Sequence, residues 1–152
     1  MIRKLNYSDT ISMYEFILRT KDSYEDFYIT TNKARVFLKN IKLIEKILKY
    51  QDVVAIEESG EIKALLLIYK EKGFRPYVKI LAENNNYVYD LMKWLNWNYN
   101  CELFIKCKKV NSLSKTAQKF FFNFIGDRGS EILLVKHKRE VKPIQYKNEK
   151  SL

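Results

Sequence analysis

The chain has little of several residue types that particular chemistries require. Its 152 residues include two cysteines, one histidine, four glycines and two prolines. Cys101 and Cys107 cannot build a disulfide framework, and with His137 they fall short of the four convergent ligands of a structural zinc site. The single histidine and the absence of a glycine-rich Lys-Ser/Thr loop argue against the usual nucleophilic triads and against nucleotide hydrolysis.

Long hydrophobic runs are also missing. The longest apolar stretch, Ala64 to Tyr69, is far too short to cross a bilayer, and residues 1–6 lack the apolar run of a signal peptide. We therefore expect a cytoplasmic protein with no membrane partner. Composition leaves its oligomeric state, monomer or homodimer, open.

What the chain does have is enough apolar residues for one core and a large excess of positive charge. A hydrophobic fraction of 47% over this length suits a single domain, which we place at residues 1–138. The net charge of +10 favours encounter with polyanions, although the lysines are scattered and an ordinary solvated surface is the alternative. Residues 139–152 form a basic tail that we expect to be mobile.

Hydrophobic periodicity and turn residues predict an alternation of strands and helices. Ser59-Gly60 marks a hairpin turn and residues 126–130 mark a second one. The predicted elements are a strand at 2–5, a helix from 8 or 9 to 19, a helix from 30–32 to 50, strands at 53–56, 62–69 and 74–82, a helix at 87–96, a strand at 102–108, a helix from 112 or 114 to 121, and strands at 122–125 and 131–136.

This order, β-α-α-β-β-β-α-β-α-β-β, resembles that of the GCN5-related N-acetyltransferase (GNAT) family. The resemblance covers about residues 1–138 and is carried by residues 2–17, the hairpin 53–62, and residues 122–135. It implies an α/β (α+β) fold, with a mixed, mostly antiparallel sheet of about seven strands flanked by about four helices. It also implies transfer of an acetyl group from acetyl-CoA to the amine of a small molecule or a protein.

The resemblance places the cofactor phosphates where the fourth strand of the main sheet gives way to a helix. The family usually has Gln or Arg, two residues, Gly, one residue, then Gly or Ala there, whereas this chain has no glycine. Asparagine tolerates left-handed backbone, so the segment can still form an anion-binding turn, and a plain helix cap is the alternative. The cofactor-binding candidates are Leu81, Ala82, Asn84, Asn85, Asn86, Tyr87 and, for the pantetheine arm, Asn111.

Catalytic residues are harder to assign. The tyrosine that the family often uses to protonate the departing thiolate falls near Ala117, so it is absent. The candidates for the proton acceptor are strand-end carboxylates, each of which has solvation as its alternative: Glu57, Glu58 and Glu83. Arg75 and Tyr77 flank a proline and are candidates for binding an anionic group of the substrate, or simply begin an edge strand.

Two functions therefore remain open. The first is a diverged N-acetyltransferase that depends on acetyl-CoA. The second is a catalytically inactive binding module of the same fold, which binds nucleic acid through its basic surface.

Overall fold

Strands and helices alternate along the computed structural model, which describes residues 1–20, 28–30, 35–70, 75–108, 112–129 and 131–139. The strands are β1 (Ile2–Lys4), β2 (Tyr28–Thr30), β3 (Arg35–Phe37), β4 (Asp52–Glu58), β5 (Glu61–Tyr69), β6 (Tyr77–Ala82), β7 (Leu103–Lys108), β8 (Asn123–Arg128) and β9 (Glu131–Lys136). The helices are α1 (Thr10–Arg19), α2 (Ile41–Tyr50), α3 (Asn85–Asn98) and α4 (Ser112–Lys119), and a 3-10 turn (Tyr7–Asp9) precedes α1.

Seven of these strands form one sheet in the order β1-β4-β5-β6-β7-β9-β8. The neighbours pair antiparallel, except that β6 and β7 are parallel. A parallel pair needs a crossover, which α3 supplies. The predicted α+β class, with a mixed and mostly antiparallel sheet of seven strands and four helices, is confirmed.

The sheet is covered on both faces, and each face has its own hydrophobic core. One core joins β4, β5 and β6 to α1 and α2 through side chains such as Leu65, Leu81 and Ile44. The other joins the sheet to α3 and α4 through side chains such as Ile80 and Leu91. Because successive side chains of β6 point to opposite faces, Leu81 and Ile80 belong to different cores.

The segment between α1 and α2 differs from the prediction. A helix was expected to start at 30–32, but Tyr28–Thr30 and Arg35–Phe37 pair as a small antiparallel sheet, and α2 begins only at Ile41. The Asn40 side chain accepts hydrogen bonds from the backbone of Lys42 at 2.9 Å and Leu43 at 3.2 Å, which caps the helix there. The Asn40 cap fixes the start of α2, although the helical spacing of apolar residues extends further upstream in the sequence.

The second correction concerns the turn expected at residues 126–130. Instead β8 continues to Arg128, with a register irregularity between Phe124 and Gly126 that absorbs one residue, and the chain reverses at Gly129. Gly129 has φ of +63° as expected for a turn. A glycine inside a strand pattern marks a bulge as readily as a turn.

Other local predictions are confirmed. Ser59 and Gly60 both have positive φ, 54° and 77°, in the tight turn between β4 and β5. The apolar stripe of α3 is buried, and its members are Val88, Leu91, Met92 and Leu95. The strand expected at 131–136 has those bounds.

One prediction concerns residues that the structure does not describe. The basic tail falls outside the described residues apart from position 139, and its expected mobility stays a prediction. Among the described residues, none of the helices has the length and apolar character needed to span a bilayer. The same parts of the chain contain no group of three His, Cys, Asp or Glu side chains placed to hold a metal ion.

Candidate active site between β6 and β7

The central feature of the sheet is the separation of its two parallel strands. Tyr77 and Phe104 form the one β6–β7 pair found in the described residues, where the backbone N–H of Phe104 donates to the Pro76 carbonyl at 3.0 Å. Beyond that pair, no backbone pairing joins β6 to β7 in the described residues as far as their carboxyl ends at Ala82 and Lys108. We call this unpaired stretch the gap; it is closed at the Tyr77–Phe104 pair, and its open end is at the carboxyl ends of both strands.

Backbone groups of β6 face this gap. The N–H of Glu83 donates to the Lys63 carbonyl on the β5 side at 3.1 Å, whereas Pro76 is bonded to the β7 side. Since backbone groups alternate in direction along a strand, the N–H and C=O groups of Ile80 and Ala82 point into the gap. They form an unpaired strand edge in the middle of a sheet.

The Lys79 side chain crosses the narrow end of the gap. It is buried, with 5% exposure, and its Nζ donates to the Lys106 carbonyl of β7 at 3.3 Å. Lys79 and Lys106 each lie two residues beyond the strand pair, at the place where the next backbone bond of a regular parallel ladder would form. An ammonium group therefore spans the strands where their backbones have parted.

Tyr28 covers the same place from the side of α1 and α2. Its ring centroid lies 3.9 Å from the Lys79 Nζ, and its hydroxyl donates to Glu131 Oε2 at 2.8 Å. Glu131 is the cross-strand partner of Lys108 at the end of β7. Tyr28 thus reaches from β6 to the β7–β9 pair across the face of the gap.

The turn after β6 carries the predicted cofactor-binding asparagines. Asn84 caps α3: its Oδ1 accepts from the backbone N–H groups of Asn86 at 3.0 Å and Tyr87 at 3.3 Å. The Tyr87 hydroxyl donates to Glu58 Oε2 at 2.8 Å, and that bond raises the pKa of the phenol. The geometry of a helix cap is therefore present, at the positive end of α3 and at the mouth of the gap.

Glu83 is the predicted proton acceptor that lies at the open end of the gap. It directly follows β6, on the face covered by α1, and its side chain is 34% exposed. Its carboxylate lies 3.7 Å from Lys63 Nζ and 3.9 Å from Arg19 Nε. These cations offset the repulsion that a bare carboxylate would exert on a bound phosphate.

Glu57 and Glu58 lie at the end of β4, which β5 and β6 separate from β7, and each has a defined partner. Glu57 Oε1 accepts from the Arg3 Nε at 2.9 Å and Nη2 at 2.5 Å, and Arg3 also binds Asp9. Glu58 accepts from Tyr87. The structure brings neither carboxylate to the gap.

Arg75 and Tyr77, the predicted substrate-binding pair, lie at the closed end of the gap. Arg75 Nη1 is 3.1 Å from Glu102 Oε1, and its guanidinium lies 5.3 Å from the Phe104 ring. Tyr77 packs against the same ring, with centroids 5.7 Å apart. Leu81 has its side chain in the core with α1 and α2, and Asn111 lies outside the described residues.

The fold is similar to those of solved acetyltransferases. An N-acetyltransferase from Staphylococcus aureus Mu50 gives a TM-score of 0.66 at 14% identity, over 90% of this chain and 96% of that chain. An acetyltransferase of the GNAT family from Streptococcus pneumoniae gives 0.66 at 17% identity, over 90% and 97%. This chain has the GNAT fold. YncA from Salmonella typhimurium, whose structure contains its cofactor acetyl-CoA, gives a TM-score of 0.64 at 11% identity, over 94% and 96%.

The likeness concerns the GNAT fold and not the identity of site residues, because so few positions are shared. No protein-family model matches the sequence, and no curated protein sequence is significantly similar to it. The expected resemblance of the fold is confirmed, and the assignment of site residues depends on the geometry of the gap.

Sequence reasoning missed Lys79, which bridges β6 and β7, and it missed Tyr28 and Glu131, which link Lys79 to the end of β7. One signal for Lys79 was present, since it is the single charged residue in the apolar run of β6 and has the same strand parity as the buried Leu81. Tyr28 and Glu131 are 103 positions apart in sequence, so nothing local could pair them.

Proposed function

We propose that this protein is an N-acetyltransferase that depends on acetyl-CoA and holds the acyl thioester between β6 and β7. The observation that carries the proposal is the unpaired edge of β6 in the middle of the sheet, with Ile80 and Ala82 facing the gap. Unsatisfied backbone groups inside a fold are rare, and a ligand that bonds them explains their presence. When bound, acetyl-CoA supplies an activated acetyl thioester.

The backbone N–H groups of Ile80 and Ala82 would act on the thioester carbonyl. Donors fixed in a strand need no reorganisation when negative charge develops on that oxygen, so they stabilise the transition state more than the ground state. The amine nitrogen forms a bond to the carbonyl carbon as the carbon–sulfur bond breaks, and the sulfur leaves as a thiolate.

Glu83 is our candidate for the group that accepts the amine proton. It lies at the open end of the gap on the α1 face and is partly exposed, so an incoming amine can reach it. Lys63 and Arg19 hold its carboxylate in place. The acceptor is an amine of a small molecule or a protein, which we place on this face.

The cofactor phosphates would lie at the start of α3. The helix dipole favours an anion there, and the N–H groups of Asn86 and Tyr87 are the donors. Asn84 Oδ1 already accepts from both of them, so a phosphate must displace it. We therefore expect weaker cofactor binding than a glycine-rich turn would give.

Thermal unfolding with increasing acetyl-CoA tests the proposal. At about one hundred times its Kd a ligand adds about 2.7 kcal/mol, which raises the midpoint by roughly 5 to 10 °C for a chain of this size. Adenosine 3′,5′-bisphosphate is the control, because it carries the nucleotide charges of the cofactor without the thioester arm. No shift with millimolar acetyl-CoA, or the same shift with the control, would overturn the proposal.

A matched variant locates the site. Ala82→Pro removes one N–H that faces the gap and leaves the β5 ladder intact, because Ala82 is not bonded on that side. We expect a smaller shift with acetyl-CoA and little change with the bisphosphate.

The outer face of α2 favours a second candidate function, binding of single-stranded nucleic acid. Lys42, Lys46 and Lys49 are exposed along one stripe of this helix. Two exposed aromatic side chains adjoin it, Tyr7 at 62% and Tyr50 at 74% exposure, and the Tyr7 ring lies 5.8 Å from the Lys49 Nζ. Lysines beside exposed aromatic rings are the combination that single strands bind.

A further inference from the structure

The edge of the main sheet at the closed end of the gap carries an excess of positive charge. The strand registers place one end of each of β1, β4, β5, β6, β7 and β9 at this edge, together with the Tyr77–Phe104 pair. At about 4.8 Å between neighbouring strands, the edge from β1 to β9 is about 24 Å long. We call it the closed-end edge, and its exposed lysines and arginines are Lys4, Lys70, Arg75, Lys138 and Arg139.

Two carboxylates offset part of this charge. Asp52 Oδ1 lies 2.9 Å from Lys4 Nζ. Glu102 lies 3.1 Å from Arg75 through one oxygen and 3.1 Å from His137 Nδ1 through the other. The remaining cations of the edge have no ion pair among the residues that the structure describes: Lys70, Lys138 and Arg139.

The buried Lys136 shows that positive charge is crowded here. It is 2% exposed, and its Nζ donates to the side-chain oxygen of Asn96 near the end of α3. Burial, and then the nearby Arg139 guanidinium, lower the pKa of Lys136. The backbone of Arg139 is itself held by the Asn100 side chain, at 2.7 and 3.2 Å. Two cations held this close, the buried one against a neutral amide, favour an anion at this edge.

Exposed aromatic rings flank the closed-end edge on both faces of the sheet. Trp97 follows Asn96 on the α3 face and is 85% exposed. Tyr50 ends α2 on the other face, is 74% exposed, and precedes Gln51, whose side chain bonds the Lys70 backbone at 2.9 and 3.1 Å. Aromatic rings beside cations stack bases and hold phosphates. The exposed side chains between the two rings are charged or polar, unlike a surface that inserts into a bilayer.

We propose that single-stranded nucleic acid crosses the closed-end edge, from the α2 stripe past Tyr50 to Trp97 on the opposite face. This inference rests on the second candidate function and names the rest of its path. The open end of the gap lies at the opposite edge of the sheet, about 20 Å away along the six residues of β6. Nucleic acid and acetyl-CoA therefore bind at the same time.

An aromatic variant tests the path. Binding of a fluorescein-labelled oligothymidylate to the full-length protein is measured by anisotropy, and Trp97→Ala should weaken it about fivefold or more, because one stacked base is lost. Tyr89→Ala removes a ring that is 46% exposed nearer the start of α3 and should leave the affinity unchanged. An unchanged affinity in Trp97→Ala, or equal losses in both variants, would overturn the inference.

A charge variant tests the edge between the rings. Replacing Lys70 and Arg139 with glutamine should reduce the slope of log K against log salt by about 1.4, at about 0.7 per phosphate contact. Replacing Lys93 and Lys115, exposed on α3 and α4, removes the same charge and should leave the slope unchanged. Equal changes in the two double variants would contradict the inference, because the net charge alone would then explain binding.

The same measurements separate this inference from the proposed functions. If variants of the α2 stripe change the slope and the Lys70 and Arg139 variant does not, the second candidate function stands and the path is wrong. If none of them changes it, both are wrong. If acetyl-CoA causes no thermal shift but oligothymidylate binding depends on Trp97, the path stands and the acetyltransferase proposal falls.

Two further outcomes would also overturn the inference. Saturating acetyl-CoA should leave the affinity for oligothymidylate unchanged, so displacement of the oligonucleotide would show that the two ligands share one site. Vesicles of phosphatidylserine are the other probe. Vesicle binding that depends on Trp97, without binding of the oligonucleotide, would assign the closed-end edge to a membrane surface.

Discussion

Arg3 illustrates how a single side chain joins three parts of the fold. Its guanidinium binds Glu57 of β4 and Asp9 of the turn before α1, with Nη2 to Asp9 Oδ1 at 2.8 Å. The hydrogen bond from Arg3 is the main cause that lowers the pKa of Asp9 below its ordinary 3.8. The same two carboxylates raise the pKa of Arg3, Asp9 more than Glu57.

This arrangement predicts a pH-dependent contribution to stability. A carboxyl group whose pKa is lower in the folded chain stabilises the fold above its unfolded pKa of about 3.8, and the contribution disappears as pH falls through the lowered value. We expect Arg3→Gln to be less stable than wild type at pH 7, with the difference shrinking below pH 3.8. Urea unfolding at a series of pH values measures this.

The control is Lys4→Gln. Lys4 is 66% exposed and lies 2.9 Å from Asp52, so its loss should change stability little at any pH. A constant difference between Arg3→Gln and wild type across the pH range would contradict the proposed role of Asp9.

Glu83 gives a residue-scale prediction about catalysis. If it accepts the amine proton, Glu83→Gln should lower kcat by about 100-fold or more, because general base catalysis contributes on the order of 10² to 10⁴. Cofactor affinity should change little. Steady-state kinetics and calorimetry measure the two effects separately.

Glu61→Gln is the matched control for Glu83. Glu61 also pairs with Lys63, at 3.3 Å, but it lies on the β4–β5 hairpin. Equal losses of kcat in both variants would assign the effect to the Lys63 ion pair and would remove Glu83 from the catalytic step.

At the scale of elements, two helices begin with the same device and have different neighbours. Asn40 caps α2 and Asn84 caps α3, each through Oδ1 to two backbone N–H groups. Only the α3 cap lies next to the gap between β6 and β7. A comparison of the two caps therefore tests whether Asn84 has a binding role in addition to its structural one.

We expect Asn84→Ala and Asn40→Ala each to lower the free energy of unfolding by about 1 kcal/mol, the usual contribution of an asparagine cap. Only Asn84→Ala should also change the affinity for CoA, because it frees the amides of Asn86 and Tyr87. Calorimetry with CoA on both variants measures this. An unchanged affinity in Asn84→Ala would exclude the start of α3 as the phosphate site.

At the scale of the whole molecule, the net charge of +10 alone attracts polyanions without specifying where they bind. If the α2 stripe binds single strands, replacing Lys42, Lys46 and Lys49 with glutamine should reduce the slope of log K against log salt by about 2, at about 0.7 per phosphate contact. Fluorescence anisotropy with an oligonucleotide across a salt series measures the slope.

Three other exposed lysines provide a control with the same total charge. Lys93 of α3 and Lys115 and Lys119 of α4 lie outside the stripe. Their triple replacement should leave the slope unchanged. If the two triple variants change the slope equally, the binding reflects attraction by the net charge and not a site on α2.

The sequence by itself determined the order and type of most elements. Period-3.6 and period-2 patterns reflect which side chains must be buried, and α3 with its stripe Val88 to Leu95 follows from that requirement alone. Local backbone chemistry likewise determined the Ser59-Gly60 turn. Short strands such as β2 and β3 escaped prediction because three residues carry too little periodicity to outweigh a neighbouring helical pattern.

Only the tertiary structure decided that β6 and β7 leave a gap and which side chains lie beside it. Whether β6 and β7 pair along their length or part after Tyr77 and Phe104 depends on packing between strands that α3 separates in sequence. The contact of Lys79 with Lys106, and that of Tyr28 with Glu131, join residues 27 and 103 positions apart. Local sequence encodes burial and turns, whereas a site assembled across strands depends on long-range distances that no local pattern contains.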